Sequence, residues 1–529
     1  MTSSSSSSPL FLGLDLSTQQ LKAVIINDSL HIIHKESIQF SKHLPQFGTE
    51  DGVIRDSSSS RVFTPINLWI SAIDLLLHRL STSTSFSFYD IVAISGTAQQ
   101  HGTVYWNEYG VNRLERMEDH VSMKLQDILK NGFSKEECPI WMDSSTGEFV
   151  DKFDDAIPDL NRISGSRAYH RFSGPQIAKI FKYERDTYNA TTRISLVSSF
   201  LASIFLGRIA PIDMSDACGT NLLDIQSNQW SPLCLSVVVD GDSSSIPSLQ
   251  SKLGTPVPAA TDLGSISPYF VSKYGMNPSC KVIAFTGDNL SSMADLNTHE
   301  GDVIISLGTS DTAIYVTPSF IPLPRGHVFI HPTVPNQYVN LICYKNGSLT
   351  RERIRESLGL SWDTVGDILK ETPVGNNGRI GIYFDMDEIE PRVSAGDYRW
   401  MENGDKTTEP FPRSTEMRAV LEGQCLHLRV NCPQSINRII LTGGASANTS
   451  IRQMMGDIFG RPIYTTTMVD SAAQGGAKRA RYVYHSPSTP YEDYFKSDLT
   501  LVAEPIEENV RVYEQLLKVY KEREDSLMN

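Results

Sequence analysis

The sequence predicts an α/β protein made of two similar domains, and three observations carry that prediction. A strand, a small hydroxyl-rich turn and a second strand occur near the start of each half: LFLGLDLSTQQLKAVII from Leu10 and DVIISLGTSDTAIYV from Asp302. Short β-branched and apolar strands alternate with helix-patterned segments, and several deliver polar clusters at their C-terminal ends. A chain of 529 residues is also too long for one compact core. Each turn alone is an ordinary hairpin, because Asp, Ser, Thr and Gly are the default turn residues. Their pairing is what suggests duplicated domains facing one nucleotide, with one phosphate turn each.

The elements follow in chain order. In the first hairpin the turn is Asp15-Leu16-Ser17-Thr18. Residues 28–66 read as polar loop, with Pro45-Gln46-Phe47-Gly48 and a serine run from Ser57. Leu68 to Leu80 places Trp69, Ile73, Leu76, Leu77 and Leu80 at helical spacing, a surface helix. Ile91 to Gly96 is a buried strand ending in Thr97-Ala98-Gln99-Gln100-His101-Gly102, and ligands of open α/β sheets bind at such ends. Two amides and an imidazole suit a polyol; the competing reading of His101 is a satisfied structural histidine. Residues 107–137 look like a variable polar excursion, and Pro139 to Ser145 resumes strand-like order around Asp143. In SGSRAYHRFSGPQ, from Ser164, Arg167 and Arg171 either hold a hydroxylated or phosphorylated ligand or are helix-end surface charges. Ile194 to Phe205 reads as an apolar helix, and Asp213 to Asp216 as an acidic turn.

Val282 to Val316 is the centre of the pattern: strand, polar turn Thr286-Gly287-Asp288-Asn289, helix, strand, the turn Gly308-Thr309-Ser310, strand. Asp288 has no packing role in a turn after a buried strand, and the second turn leaves amides and hydroxyls free to form an anion nest. His327 to Tyr344 alternates as paired strands, a charged helix starts near Asn346, and Trp362 begins another. Residues 371–415 are punctuated by Gly and Pro, and a helix spans Ser414 to Arg429. Ile439 to Leu441 is a buried strand ending in Gly443-Gly444, with a helix from about Asn448; two glycines there permit close approach of a ring or phosphate. Ser471 to Ala480 starts a small-residue helix, and Pro505 to Lys521 is a packing helix.

Composition excludes several classes. A net charge of -14 argues against a nucleic-acid partner or an anionic membrane. The seven cysteines are scattered without C-x-x-C spacing, as free thiols in a reducing compartment such as the cytoplasm. No apolar run approaches the ~20 residues of a membrane span. The first eight residues, a serine-rich tail without the features of a signal peptide, are expected to be disordered. There is no Walker A, HExxH, GxSxG or strand-borne GxGxxG motif.

The ordered set DLSTQQLK, SGTAQQHG, WMDSS, GSRAYHRFSGPQIAK, TGDN, SLGTSDT, MRAVLEG and LTGGAS resembles the FGGY carbohydrate kinases, most closely their eukaryotic xylulokinase branch, from Leu10 to about Arg481. Many bacterial members carry a tryptophan shortly after the lysine matched by Lys179, which is followed here by Ile180, Phe181 and Lys182. The resemblance implies two ribonuclease-H-like domains of the actin/sugar-kinase superfamily around a central cleft, residues 9–287 binding sugar and 288–529 binding nucleotide. Its implied substrates are D-xylulose and ATP with Mg²⁺, and its implied assembly is a monomer or homodimer. Carried onto matching positions, Asp288 resembles the general base, and His101, Arg171, Asp288 and Asn289 resemble the sugar contacts, the first two as donors. Asp15 and Thr18 resemble the first phosphate turn, Asp15 also reaching Mg²⁺ directly or through water. Gly308, Thr309 and Ser310 resemble the second turn, and Trp362, Gly443, Gly444 and Asn448 the adenosine side.

The chemistry agrees with that assignment. A sugar hydroxyl is a weak nucleophile, so a carboxylate beside it must accept its proton as the bond to phosphorus forms. Asp143 is the rival carboxylate.

Overall fold

The computed structural model describes residues 8–296, 298–308, 310–324, 326–389, 392–433, 435–466, 470–495 and 499–528. The chain forms two compact units. The first comprises Met1–Thr298, Val328–Gln337 and Val469–Lys496; the second comprises His299–His327, Tyr338–Met468 and Ser497–Asn529.

The sheet of the first unit runs, in spatial order, Asp262–Ser265, Lys281–Ile283, Ile91–Ala98, Leu10–Leu16, Gln20–Asn27, Ile32–Gln39. Leu10–Leu16 pairs parallel with Ile91–Ala98 and antiparallel with Gln20–Asn27. Because side chains alternate across a strand, its residues serve two cores. Leu10, Leu12, Leu14 and Leu16 join Trp69 and Ile73 of the helix Ile66–Ser81. Phe11 joins Ala473, Ala477 and Ala480 of the helix Ser471–His485 on the other face. Gly13 shares the Phe11 face, and a Cβ there would collide with the Ala473 carbonyl. The absence of side chains at Gly13 and Gly476 is therefore what lets this helix lie on the sheet. Asp15 occupies the same face one step further along the strand.

The second unit repeats the plan. Its sheet includes, in order, Tyr338–Tyr344, Asp311–Thr317, Asp302–Leu307, Arg438–Thr442, Ile463–Thr466 and Leu499–Ala503. Asp302–Leu307 is antiparallel to Asp311–Thr317 and parallel to Arg438–Thr442, the same pairing as in the first unit. Helices Arg413–Val430, Thr449–Phe459 and Glu507–Asp525 contribute Met417, Val420, Met455 and Tyr513 to its core.

Several expectations are corrected. The segment taken as loop contains the strand Ile32–Gln39, which lies at the sheet's edge and, apart from Ile32, exposes polar residues. The helix Ile66–Ser81 is buried on nearly all sides rather than lying at the surface. The excursion after residue 107 is ordered: Asp74 accepts the amides of Leu125 and Gln126, each at 3.1 Å, and seats Leu125 and Ile128 in the core. Strand order stops at Pro139, so Asp143 sits in a turn. Thr191–Leu196 is a strand, and the apolar helix begins only at Val197. Asp213 caps a short buried helix, accepting from Ser215 N and Asp216 N.

The close contact of the helix Ser471–His485 with Ser291 of the helix Asp288–Leu296 predicts a specific sensitivity. A Cβ at Gly475 would collide with the Ser291 carbonyl, whereas one at Gly147 would meet only His170 Cε1 at 3.5 Å. Gly475→Ala should lower unfolding stability by roughly 1–3 kcal/mol, and Gly147→Ala should change it by less than about 0.5 kcal/mol. Urea unfolding midpoints of the two variants read the difference; equal shifts would remove the packing argument.

Candidate active site

In the first unit, polar side chains gather at the C-terminal ends of neighbouring strands. Leu10–Leu16 carries Asp15, Ile91–Ala98 leads into Gln99, Gln100 and His101, and Thr286–Gly287 leads into Asp288 at the start of the helix Asp288–Leu296. Asp288 Oδ1 accepts the Asn289 amide at 2.8 Å and Asn289 Nδ2 at 3.2 Å. Asn289 Nδ2 also donates to Gln100 Oε1 at 3.2 Å, and Gln100 Nε2 reaches Asp216 Oδ1 at 3.5 Å. Ser198 Oγ donates to the other Asp216 oxygen at 2.6 Å. Gly287 is part of this arrangement, since a Cβ there would press on the Gln100 side chain. Thr18 Oγ1 receives the Trp141 indole N–H at 2.9 Å and donates to Gln99 Oε1 at 3.3 Å.

His101 adopts φ 72°, an uncommon conformation for a residue with a side chain. Its ring stacks on Phe172 with centroids 4.5 Å apart, and Nδ1 lies 2.9 Å from the Gly219 carbonyl oxygen. Burial lowers its pKa to about 3, so the ring is neutral and Nδ1, facing a carbonyl, carries the proton. The other nitrogen is then an acceptor, which corrects the expectation that His101 donates. Arg171 lies over Tyr169 and Phe172, with Cζ 4.9 and 5.6 Å from the ring centroids, and its charge acts on His101.

The carboxylates are electrostatically linked. Burial, and next the charge of Asp288, push the Asp15 carboxyl up to about 7; Lys22 opposes the shift. Asp15 Oδ1 is buried without a protein hydrogen-bond partner. Asp288 keeps a partly accessible edge yet is densely surrounded, and desolvation pushes its pKa up to about 6. Asp216 is raised by burial and then by the charge of Asp213. A carboxylate poised near neutrality suits proton transfer.

Asp143 has a different environment. It accepts hydrogen bonds from the Val62 amide at 3.0 Å, the Ser145 amide at 3.0 Å, Ser145 Oγ at 2.6 Å and Gln176 Nε2 at 2.7 Å. With its oxygens occupied and only 3 % of it exposed, it organises the turn after Pro139. Asp216 was visible in the sequence only as part of an acidic turn; nothing local indicated that it would back Gln100.

In the second unit, Gly308, Trp362, Gly444 and Asn448 line one cavity of about 570 Å³, together with Leu307, Ser348, Arg351, Glu352, Asp363 and others. Gly443 adopts φ 85° behind it, and a Cβ there would collide with the Leu307 carbonyl. Asn448 caps the helix Thr449–Phe459 through its Oδ1, accepting Ser450 N at 2.9 Å and Ile451 N at 3.1 Å, so its amide group remains a donor. Trp362 is fixed by an indole bond to Glu352 Oε1 at 2.8 Å. Ser310 is exposed and does not line the cavity; Thr309 lies outside the described residues. Arg351 and Glu352 escaped the sequence reading because a charged helix gives no local sign of which charges face inward.

Two α/β units built on one strand plan define the actin/sugar-kinase fold, each domain being ribonuclease-H-like. Residues 10–294 match the N-terminal domain, and 303–484 the C-terminal domain, of the FGGY family of carbohydrate kinases. The chain is 41% identical over 532 residues to a xylulose kinase of Rattus norvegicus, covering 98% of this chain and 97% of that protein. It is 42% identical over 494 residues to xylulose kinase 2 of Arabidopsis thaliana, covering 89% and 87%. In fold it is similar to a xylulose kinase from Rhodospirillum rubrum, with TM-score 0.80, 15% identity and 98% and 99% of the two chains covered. Plasmodium falciparum glycerol kinase with ADP is also similar, with TM-score 0.76, 16% identity and 98% of each chain covered. The chain belongs to the FGGY family of carbohydrate kinases, enzymes that phosphorylate a sugar with ATP. Among the described residues, no helix is long and apolar enough to cross a membrane.

The raised pKa of Asp288 predicts a pH-dependent stability effect. The folded state holds the proton that the unfolded state has lost between about pH 4, near the ordinary carboxyl value of 3.8, and about pH 6. Stability therefore falls as pH rises through that window. Asp288→Asn removes the penalty, so its stability relative to wild type should increase from pH 4 to pH 7 by roughly 1–3 kcal/mol. Denaturant titrations at the two pH values measure it, and a pH-independent difference would contradict the raised pKa.

Proposed function

We propose that the enzyme transfers the γ-phosphoryl group of ATP to D-xylulose, giving D-xylulose 5-phosphate, with Asp288 as general base. The observation that carries the chemistry is Asp288 itself: a carboxylate pushed up to about 6, with an accessible edge, placed at a strand end beside Asn289 and Gln100. The choice of sugar rests on the xylulose kinases that match nearly the whole chain at 41–42% identity.

In this reading the first unit binds the sugar, extending past the boundary of residues 9–287 expected from sequence to take in Asp288 and Asn289, and the second unit, drawn from residues 288–529, binds the nucleotide. The neutral His101 ring accepts a hydrogen bond from a sugar hydroxyl, and Arg171, held against two aromatic rings, donates to another. Asn289 is polarised by Asp288 and Gln100 and orients the attacking hydroxyl. Asp288 takes that hydroxyl's proton as the oxygen bonds to phosphorus, and the β–γ bridging oxygen leaves with ADP.

The second-unit cavity takes the adenosine part between Trp362 and the Gly443–Gly444 turn, with Asn448 as donor and Gly308 close to the phosphates. Ser310 and Thr309 belong to the same proposed phosphate turn. Thr18 and Asp15 form the first one. The orphaned, buried Asp15 oxygen fits a divalent cation such as Mg²⁺. Among the described residues, no cluster of three or more His, Cys, Asp or Glu could hold a metal unaided. Asp15 would therefore hold Mg²⁺ directly or through water, together with nucleotide phosphates, as is usual for this ion. When bound, the ion neutralises phosphate charge. The seven cysteines are free and mostly buried, which fits a cytoplasmic setting.

A substrate panel with coupled ADP detection tests the assignment. D-xylulose should exceed glycerol in kcat/KM by about 100-fold or more, because a site built for several hydroxyls rejects a substrate that leaves its polar groups unpaired. In Asp288→Ala, turnover should fall about 10²–10⁴-fold while ADP still binds. Near-normal turnover in that variant would refute the base assignment, and a preference for another sugar would refute the substrate.

A further inference from the structure

The second unit contains a buried ion pair that the reaction does not require by itself. Arg351 and Asp311 are 3% and 2% exposed. The guanidinium donates to both carboxylate oxygens, Nη1 to Oδ2 at 2.5 Å and Nη2 to Oδ1 at 3.0 Å. Removing two charges from water costs several kcal/mol per ion, and well-packed apolar residues often serve stability as well. A pair retained at that cost has a positional use to be sought.

Its position is informative. Asp311 is the cross-strand partner of Leu307 and closes the hairpin whose turn begins at Gly308. The Gly308 amide donates to the Asp311 carboxylate, and the Gly308 carbonyl accepts the Ser348 amide at 2.8 Å. Ser348 opens the helix Ser348–Ser357, and Arg351 stands one turn along it. One helix end therefore grips the hairpin twice, by a backbone bond to Gly308 and through Arg351 to Asp311. The helix is anchored in turn by Gln424, which accepts from Arg351 Nη1 at 2.9 Å and donates to the Asn346 and Gly347 carbonyls at 2.9 and 3.1 Å. Arg351 also lines the 570 Å³ cavity, whereas Asp311 does not, and the buried Arg351 Nε has no partner.

We propose that Asp311 is a positioning residue for nucleotide binding: through Arg351 and the Gly308 amide it fixes the phosphate turn against the cavity wall. This rests on the reading of that cavity as the nucleotide site. The pair is a rigid two-point clamp, because a bidentate guanidinium–carboxylate contact specifies direction as well as distance. Loosening it lets the turn sample other positions, and the nucleotide must then reorder it on binding.

The test separates positioning from stability and from failure of the underlying reading. ADP affinity is measured by calorimetry, with KM for ATP, KM for D-xylulose and kcat, in Asp311→Asn, in Gln424→Ala and in the double variant Asp311→Leu with Arg351→Met. The double variant leaves no unpaired charge, so its urea midpoint should stay close to wild type. All three should weaken ADP binding and raise KM for ATP, Gln424→Ala least and the others about tenfold, with KM for D-xylulose unchanged. Wild-type ADP affinity in the double variant, or a parallel rise of both KM values, overturns the proposal. Trp362→Ala is the control for the cavity: if it leaves ADP affinity unchanged, the nucleotide assignment fails, whatever Asp311 does.

Discussion

Asp15 and Asp288 stand at strand ends of one unit, near enough that the charge of one raises the pKa of the other. That repulsion, added to desolvation, is the constraint on which the site depends. Each pKa unit corresponds to about 1.4 kcal/mol between protonation states, so a fold that holds both groups sacrifices stability near neutral pH. In exchange it keeps one carboxyl with a pKa near neutrality and another with a buried oxygen that has no protein hydrogen-bond partner. Asp143 shows the contrast: the same residue type, satisfied by four donors, is a structural acceptor.

A strained set of charges needs a stiff support, and the first unit supplies it through close backbone contact. Gly13 and Gly476 let the helix Ser471–His485 approach the sheet, a Cβ at Gly476 pressing on the Gly96 backbone. That helix also carries Arg479, wholly buried, which donates to Ser95 Oγ at 2.8 Å and to the Gly96 carbonyl at 2.7 Å. Its charge acts on Asp213, the cap beneath Asp216. At the helix's start, Asp470 at φ 70° takes Lys22 and Lys35, and Lys22 is the cross-strand partner of Asp15. A segment near the end of the chain thus braces the turn near its beginning.

Much of this was legible because it is local. A strand, a turn of small polar residues and a second strand can be read within seventeen residues, and both copies appear where expected. Asp288 was singled out because a carboxylate in a turn directly after a buried strand has no packing role, Asp15 through the paired turns, and Asn289 through the family resemblance. What could not be read depends on distant partners. The strand Ile32–Gln39 lies at the sheet's edge and, apart from Ile32, exposes polar residues, and such an edge strand resembles a loop. The return of residues 471–485 to the first sheet is invisible in a small-residue helix pattern. For His101 the tautomer could not be read, because it is set by the carbonyl of Gly219, 118 positions away.

The central claim is that Asp288 must lose its proton for the sugar hydroxyl to react. The direct measurement is the pH profile of kcat/KM for D-xylulose under saturating ATP. Because Asp288 and Asp15 interact, the profile should show an acid limb with an apparent pKa between about 6 and 7, and the residual activity of Asp288→Asn should lack the portion due to Asp288. A profile flat down to pH 5, or an unchanged limb in Asp288→Asn, would contradict the account.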